Sequence, residues 1–417
     1  MGKVKNILKG LFKKTGAISF KYLIVLFLSS GALFSQGKVI TWGLGSAGNS
    51  SSVASSIHSG VIEISSTDDA FAALKSDGSV VTWGSSAYGG DSSSVSTTLG
   101  SGVIKIFSTQ RAFAALKSDG SVVTWGHNQY GGDSSYVNVN SGVIEIFKTN
   151  SAFAALKSDG SVITWGSTSN GGDSSSVSTA LGSGVVDIFP SLGAFAALKS
   201  DGSVVTWGSN GMGGDSSSVA SSINSGVIEI FSTIHAFAAL KSDGSVVTWG
   251  SSSMGGDSSS VASSLSSGVK EIFHTDGAFA ALKSNGSVIT WSNNEYGGNS
   301  SSVANSINSG VIEIFSTQRA FAALKSDGSV ITWGGLNGQV FGNNSSSVAN
   351  SINSGVIDIS SNQRAFAALK SDGSVITWGD SYYGGNSSSV ASSINSGVIK
   401  IFPGAGGAFA ALKSNGS

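Results

Sequence analysis

One phrase organises the chain: Ala-Phe-Ala-Ala-Leu-Lys-Ser-Asp-Gly-Ser-Val-Val-Thr-Trp-Gly, first complete at residues 70–84. Its Trp-Gly step, or a close variant, recurs at Trp42, Trp83, Trp125, Trp165, Trp207, Trp249, Trp291, Trp333 and Trp378, and these nine are all the tryptophans present. The spacings are 41, 42, 40, 42, 42, 42, 42 and 45 residues. Such a period means a repeat architecture, in which each unit buries its apolar faces against its neighbours. Length alone would suggest roughly two or three domains; the repeat replaces that expectation with one continuous body over residues 37–417.

Composition narrows what this body can do. Glycine is 58 of 417 residues and proline only 2, so the chain is neither collagen-like nor a proline-rich linker. Charged residues are 11%, well under the usual ~25%, so serine and glycine carry the polar surface. There is no cysteine, which excludes disulfides and thiolate chemistry. The formal net charge of -1 hides an asymmetry: residues 1–36 hold six lysines and no acid, and the remainder carries 17 basic against 24 acidic groups. A body of that sign is a poor partner for nucleic acid, which needs a basic footprint.

The first 36 residues read as a secretory signal peptide. Lys3, Lys5, Lys9, Lys13, Lys14 and Lys21 precede an apolar run over 22–34. That run is short of the ~20 residues needed to span a bilayer and suits the core of a cleaved leader. Ser30-Gly31-Ala32 offers small residues for cleavage after Ala32 or a few residues later. An uncleaved anchor is the competing reading. The expected location is outside the cell or at its surface, with no membrane association after cleavage.

Within a repeat, Val103-Ile104-Lys105-Ile106-Phe107 alternates and reads as a first strand. Residues 112–117 form a second strand, apolar on both sides. Asp119-Gly120 marks a hairpin turn, where glycine supplies the positive φ, and residues 121–125 form a third strand. Small sheets buried on both faces must be sandwiched between neighbours, which is how propeller blades stack. The repeated tryptophan is expected as core between blades. The Ser-rich stretch after it, such as Asp91 to Gly100, has the grammar of a short helix with an aspartate cap, an outer edge strand being the alternative.

Gly102-Val103, Ala114 to Leu116, Asp119-Gly120, Val122, Trp125-Gly126 and Gly131-Gly132 together resemble the regulator of chromosome condensation repeat. The resemblance covers nearly everything after residue 36 and implies an all-β propeller. Nine units of 42 residues, each of three strands plus a short helix or outer strand, depart from that family's usual seven longer ones. The family's nucleotide-exchange activity is not carried over to a chain with an export leader. The pattern looks closer to secreted bacterial arrays of this repeat. Residues 38–43 spell a third strand and 408–417 spell a first hairpin, so pairing of 37–43 with 408–415 is expected to close the ring. An open array or a chain cut short is the alternative.

Catalytic patterns are missing. His58, His127, His235 and His274 fall at different phases of the repeat and have no metal-ligand spacing. Gly43, Gly45 and Gly48 spell GxGxxG without the βαβ context a dinucleotide site needs. Gly-Gly-Asp becomes Gly-Gly-Asn at Asn299 and Asn386, a swap that turn capping tolerates and a calcium ligand set does not. No cofactor, metal or catalytic residue is assigned.

Variation between copies collects in two places. One is the loop before Ala-Phe-Ala-Ala-Leu, which carries Gln110-Arg111, Gln318-Arg319 and Gln363-Arg364. The other lies between Trp-Gly and Gly-Gly and carries Tyr88, Tyr130, Tyr296 and Tyr383, with an insertion at residues 336–341. In an up-down-up sheet both emerge on one edge, opposite the Lys-Ser-Asp-Gly-Ser turn. Loops on a rigid scaffold are the usual place for binding, and drift on exposed loops is the plain alternative. The expectation is a monomeric, non-catalytic binding or adhesion scaffold that contacts a protein or glycan through these residues. As exposed loops they are expected to matter little for stability. A lyase or hydrolase with a site in a central channel, or a purely structural surface array, are the alternatives.

Overall fold

The computed structural model describes residues 39–41, 48–335, 341–404 and 407–414. The leader, Trp42, most of the GxGxxG stretch and most of the insertion lie outside the described residues. The chain divides into two compact units, Met1–Gly208 and Ser209–Ser417.

In the first unit the pattern is plainest at Val103–Ser108, Ala112–Lys117 and Val122–Gly126, an antiparallel sheet in which consecutive strands are neighbours. Equivalent sheets begin at Val61–Ser66, Val143–Lys148 and Val185–Pro190. The second unit repeats it from Val227–Ser232, Val269–His274, Val311–Ser316 and Val356–Ser361, and adds a two-stranded pair, Val398–Pro403 with Phe409–Lys413. The all-β repeat of small blade-like sheets thus stands as the sequence implies.

The middle strand explains why the repeat must stack. Its side chains alternate between two faces. Ala112, Ala114 and Leu116 pack against Val143, Ile146, Phe153, Ala155 and Trp165 of the next repeat. Phe113 and Ala115 pack the other way, against Ala70, Ala72 and Leu74. Alanine at alternate positions lets the sheets approach closely. The indole of Trp125 stacks on Phe113 with centroids 5.1 Å apart, and its Nε1 donates to the carbonyl of Gly89 in the preceding repeat at 3.0 Å. Trp165 and Trp207 do the same to Gly131 and Gly171. In the second unit Trp249, Trp291, Trp333 and Trp378 reach Gly213, Gly255, Gly297 and Gly342. These seven tryptophans are therefore core residues that also clamp their repeats to a glycine of the one before.

Three local readings change. The first strand does not alternate cleanly. A bulge between Val103 and Lys105 shifts the register, so Val103 and Ile106 are buried while Ile104 is 56% exposed. The hairpin is a three-residue loop rather than a two-residue Asp-Gly turn. The Gly78 amide donates to Lys75, the Lys75 amide donates to Ser79, and only Gly78 has positive φ, at 77°. The Ser-rich stretch forms 3-10 turns, such as Ser93–Val95 and Thr98–Gly100, or one longer run at Ser217–Ser222. Serine's poor helix propensity accounts for their brevity. The aspartate sits one residue ahead of the cap: Asp91 Oδ1 accepts from the Ser93 amide at 2.9 Å, and Ser92 is the N-cap.

One position is strained. Where other copies place the glycine of Trp-Gly, Ser292 takes φ 91°, the only described non-glycine residue with positive φ. L-residues resist that region.

Candidate functional site

The two variable loop classes meet on one edge of the sheets. Strands one and three both run toward this edge and strand two leaves from it, with Ala112 paired to Gly126, so the residue before Ala112 and the short turn after Trp125 emerge side by side. A 3-10 turn, Asn128–Tyr130, ends on left-handed Gly131 and presents Tyr130 beside Arg111. The Arg111 guanidinium lies 5.1 Å from the Tyr130 ring centroid and 4.9 Å from that of Tyr88, one repeat back. Cation and rings alternate because each ring face is the negative end of a quadrupole.

In the second unit the arrangement extends further. Arg319 lies between Tyr296 and Phe341, at 4.8 and 4.9 Å. Arg364 lies between Phe341 and Tyr383, at 5.0 and 4.9 Å. The result is a five-member stack, Tyr296–Arg319–Phe341–Arg364–Tyr383. Phe341 is shared by both arginines and is buried. Reading the sequence for tyrosine overlooked it. Its signal was positional: Phe341 precedes Gly342 as Tyr296 precedes Gly297.

Arginine decides whether a repeat joins such a stack. Asp276-Gly277 has none, and there Met254 and Tyr296 close over the glycine; a Cβ on Gly277 would lie 2.7 Å from the Met254 sulfur.

Each sequence-selected residue now has a place. Arg111, Arg319 and Arg364 are half-buried between rings, and Tyr88, Tyr130, Tyr296 and Tyr383 are half-buried beside them. Gln110 and Gln363 are exposed and Gln318 is half-buried. The glutamine backbones carry a ladder that joins one repeat to the next. The Asp68 amide donates to Gln110, Gln110 to Asn150 and Asn150 to Leu192. In the second unit Ile234 donates to Asp276, Asp276 to Gln318 and Gln318 to Gln363, at 2.9 to 3.0 Å. These loops are therefore not merely exposed. Their arginines and backbones are packed, and only the glutamine side chains and ring edges face outward.

Charge on this edge is sparse. Arg364 Nη1 lies 3.6 Å from Asp380 Oδ2, while its buried Nε has no partner. Burial raises the Asp276 carboxyl above the ordinary range, and the nearby Arg319 charge opposes that shift. Among the described residues no three of His, Cys, Asp or Glu gather as a metal site. The edge offers planar cations, aromatic rims and amides.

No family model matches the chain, and no curated protein matches it. Among solved structures, the ectodomain of the Physcomitrella patens receptor kinase CR4 is 13% identical, with a TM-score of 0.36 over 65% of this chain and 72% of that one. Yeast RCC1 (Prp20), solved with Kap60, is 16% identical, with a TM-score of 0.33 over 56% and 70%. The computationally designed Ika8 protein is 12% identical, with a TM-score of 0.31 over 82% and 100%. At these scores the likenesses add nothing to what the sheets themselves establish.

Proposed function

We propose that this chain is an exported, non-catalytic, monomeric binding scaffold whose loop edge contacts a protein or glycan. One observation carries the reading: cations and rings from separate repeats are drawn into a continuous stack on the edge where the copies differ. Arginine and aromatic residues dominate binding energy at interfaces, and stacking holds them in place beforehand. Tyr382, 92% exposed beside the end of the stack, and Gln363 supply outward contacts. No helix among the described residues is long and apolar enough to cross a membrane. Export rests on the leader's lysines and apolar run.

The same reading includes a β-propeller whose last repeat is completed by residues 38–43. Two local observations support it. The Val39 amide donates to Ile57 as that of Val122 donates to Val139, so Val39 already holds a third-strand position. The last pair borders a cleft of about 840 Å³ lined by Val375, Ile394, Phe409 and Ala411, where complete repeats hold a third strand. Ile40 and Ala411 hold the positions that Val123 and Ala115 pair in a complete repeat, so Ile40→Cys with Ala411→Cys should cross-link in the monomer under mild oxidation; failure to do so in folded protein removes the ring and leaves an open array.

Binding is tested by a whole-cell and glycan-array screen with the protein from residue 37 onward. Retention of a ligand, lost on Gln363→Ser with Tyr382→Ser, supports the loop edge. A screen without any ligand overturns the scaffold reading in favour of a structural array.

A further inference from the structure

The repeat carrying the insertion differs from the others in more than length. Two regular repeats leave a shallow cleft beside the third strand; those lined by Val162 to Ser175 and by Ser218 to Ser259 hold about 490 and 480 Å³. Beside Trp333 and Gly334 the cleft holds about 940 Å³. Its described walls come entirely from residues 294–385 of the second unit.

The backbone beside this cleft also departs from the regular copies. Seven described copies place a glycine at the second position of Gly-Gly, because a side chain there would meet the backbone. A Cβ on Gly298 would lie 2.3 Å from the Ser292 carbonyl oxygen. Here Asn343 occupies that position. It is accommodated because Gly335 turns to φ 59°, where the regular copies have an extended residue such as Ser85 at -68°. The Asn343 side chain then lies against Gly335, within 3.0 Å of where a Cβ would stand. Its Oδ1 is buried and has no hydrogen-bond partner among the described residues.

The polar lining is neutral. The aspartate after Gly-Gly in the first five described copies, such as Asp257, is replaced at this cleft by Asn299 and Asn344. Their Oδ1 atoms are engaged by the Ser301 and Ser346 amides at 2.9 and 3.0 Å. That engagement turns the amide nitrogens into the groups available to a ligand, and an amide nitrogen donates where a carboxylate could only accept. Ser302 and Ser347 add hydroxyls, and no charged residue lines the cleft among the described residues.

From this combination we propose that the cleft beside Asn343 binds a neutral carbohydrate segment. Amide donors, and hydroxyls that both donate and accept, match a ligand whose groups do the same. The absence of charge from the lining disfavours acidic or basic ligands, whose desolvation would be uncompensated. The volume lies in the range of small-molecule sites, about 300–1,000 Å³. This deepens the scaffold reading and rests on it.

The test is titration calorimetry of the folded protein with neutral trisaccharides: maltotriose, cellotriose and triacetylchitotriose. At least one should bind. Asn343→Gly restores the residue of the other copies, so it should fold, and it should weaken binding at least tenfold. Asn344→Asp should do the same, whereas Asp257→Asn in a regular repeat should change nothing. Failure of all three sugars to bind, or binding unchanged in both variants, overturns the proposal. A ligand from the wider screen that survives Asn343→Gly and Asn344→Asp but is lost on Gln363→Ser with Tyr382→Ser overturns this site alone and leaves the loop edge standing.

Discussion

The two edges of each sheet join one repeat to the next by different means. At the turn edge the same five residues recur, Asn285 in place of aspartate being the one exception among the described copies. Asp119 accepts from the amide and hydroxyl of Ser121 at 2.9 and 2.6 Å, and the Val143 amide of the next repeat donates to Gly120. A Cβ on Gly120 would lie 2.8 Å from the Gly142 nitrogen, so the turn has no room for variation. At the loop edge the backbone ladder is equally regular, but the side chains above it differ from copy to copy. Close backbone approach at the turn demands one small residue, while the loop edge, joined by its ladder, leaves the side chains above it free to be Arg between rings, Met against Tyr, or nothing. The difference teaches why sequence change collects on one edge: there the joint is carried by atoms every residue has.

The largest expected effect tests whether the edges share a core. Trp165→Ala removes a fully buried indole, its stack on Phe153 and its bond to Gly131, and should cost ~3–5 kcal/mol. Hydrogen exchange should quicken at both edges of the flanking repeats; quickening at one edge only would mean that the core does not couple them.

Gly120→Ala should act on the turn edge alone. The backbone is at φ 77° and the space is closed, so the expected loss is about 1–3 kcal/mol. The Val143 amide should exchange faster while that of Gln110 stays protected. Equal loss of protection at both would refute the separation.

Arg364→Ser sharpens the loop edge. An exposed loop arginine would change stability by no more than about 0.5 kcal/mol. Stacked between Phe341 and Tyr383, it should cost about 1–2 kcal/mol in urea denaturation. Lys should restore only part, because it lacks the planar face. A change within the exposed-loop range would show that the stack is ornamental.

The smallest effect is acid-dependent. Hydrogen bonds from the Ser121 hydroxyl and then its amide hold Asp119 below the ordinary carboxylate range, as the equivalent serines do for Asp77, Asp159, Asp201, Asp243, Asp327 and Asp372. A depressed folded pKa means the contribution is complete above the unfolded value and is lost as pH falls through the folded one. Asn285 already makes the same two bonds without a charge. Replacing all seven aspartates by asparagine should leave the neutral-pH melting temperature nearly unchanged and flatten its fall in acid. An unchanged acid limb would place the acid sensitivity elsewhere.

The sequence by itself determined the repeat, its strands, the burial of the tryptophans and the sharing of one edge by both variable loops. These follow from local rules, namely side-chain period, turn glycine and a spacing of about 42 residues, each expressed within a few residues of chain. It also picked out the arginines and tyrosines of the loop edge, but not their arrangement. The bulge that turns Ile104 outward, the three-residue turn and the 3-10 form of the Ser-rich stretch depend on small energy differences between neighbouring backbone states. The Tyr296–Arg319–Phe341–Arg364–Tyr383 stack depends on contacts between residues 19 to 23 positions apart. Only the stacking distance between sheets brings a guanidinium and a ring within 5 Å. The unpaired oxygen of Asn343 is of the same kind: an asparagine among glycines is visible in the chain, but whether its carbonyl finds a partner is decided where the repeats pack.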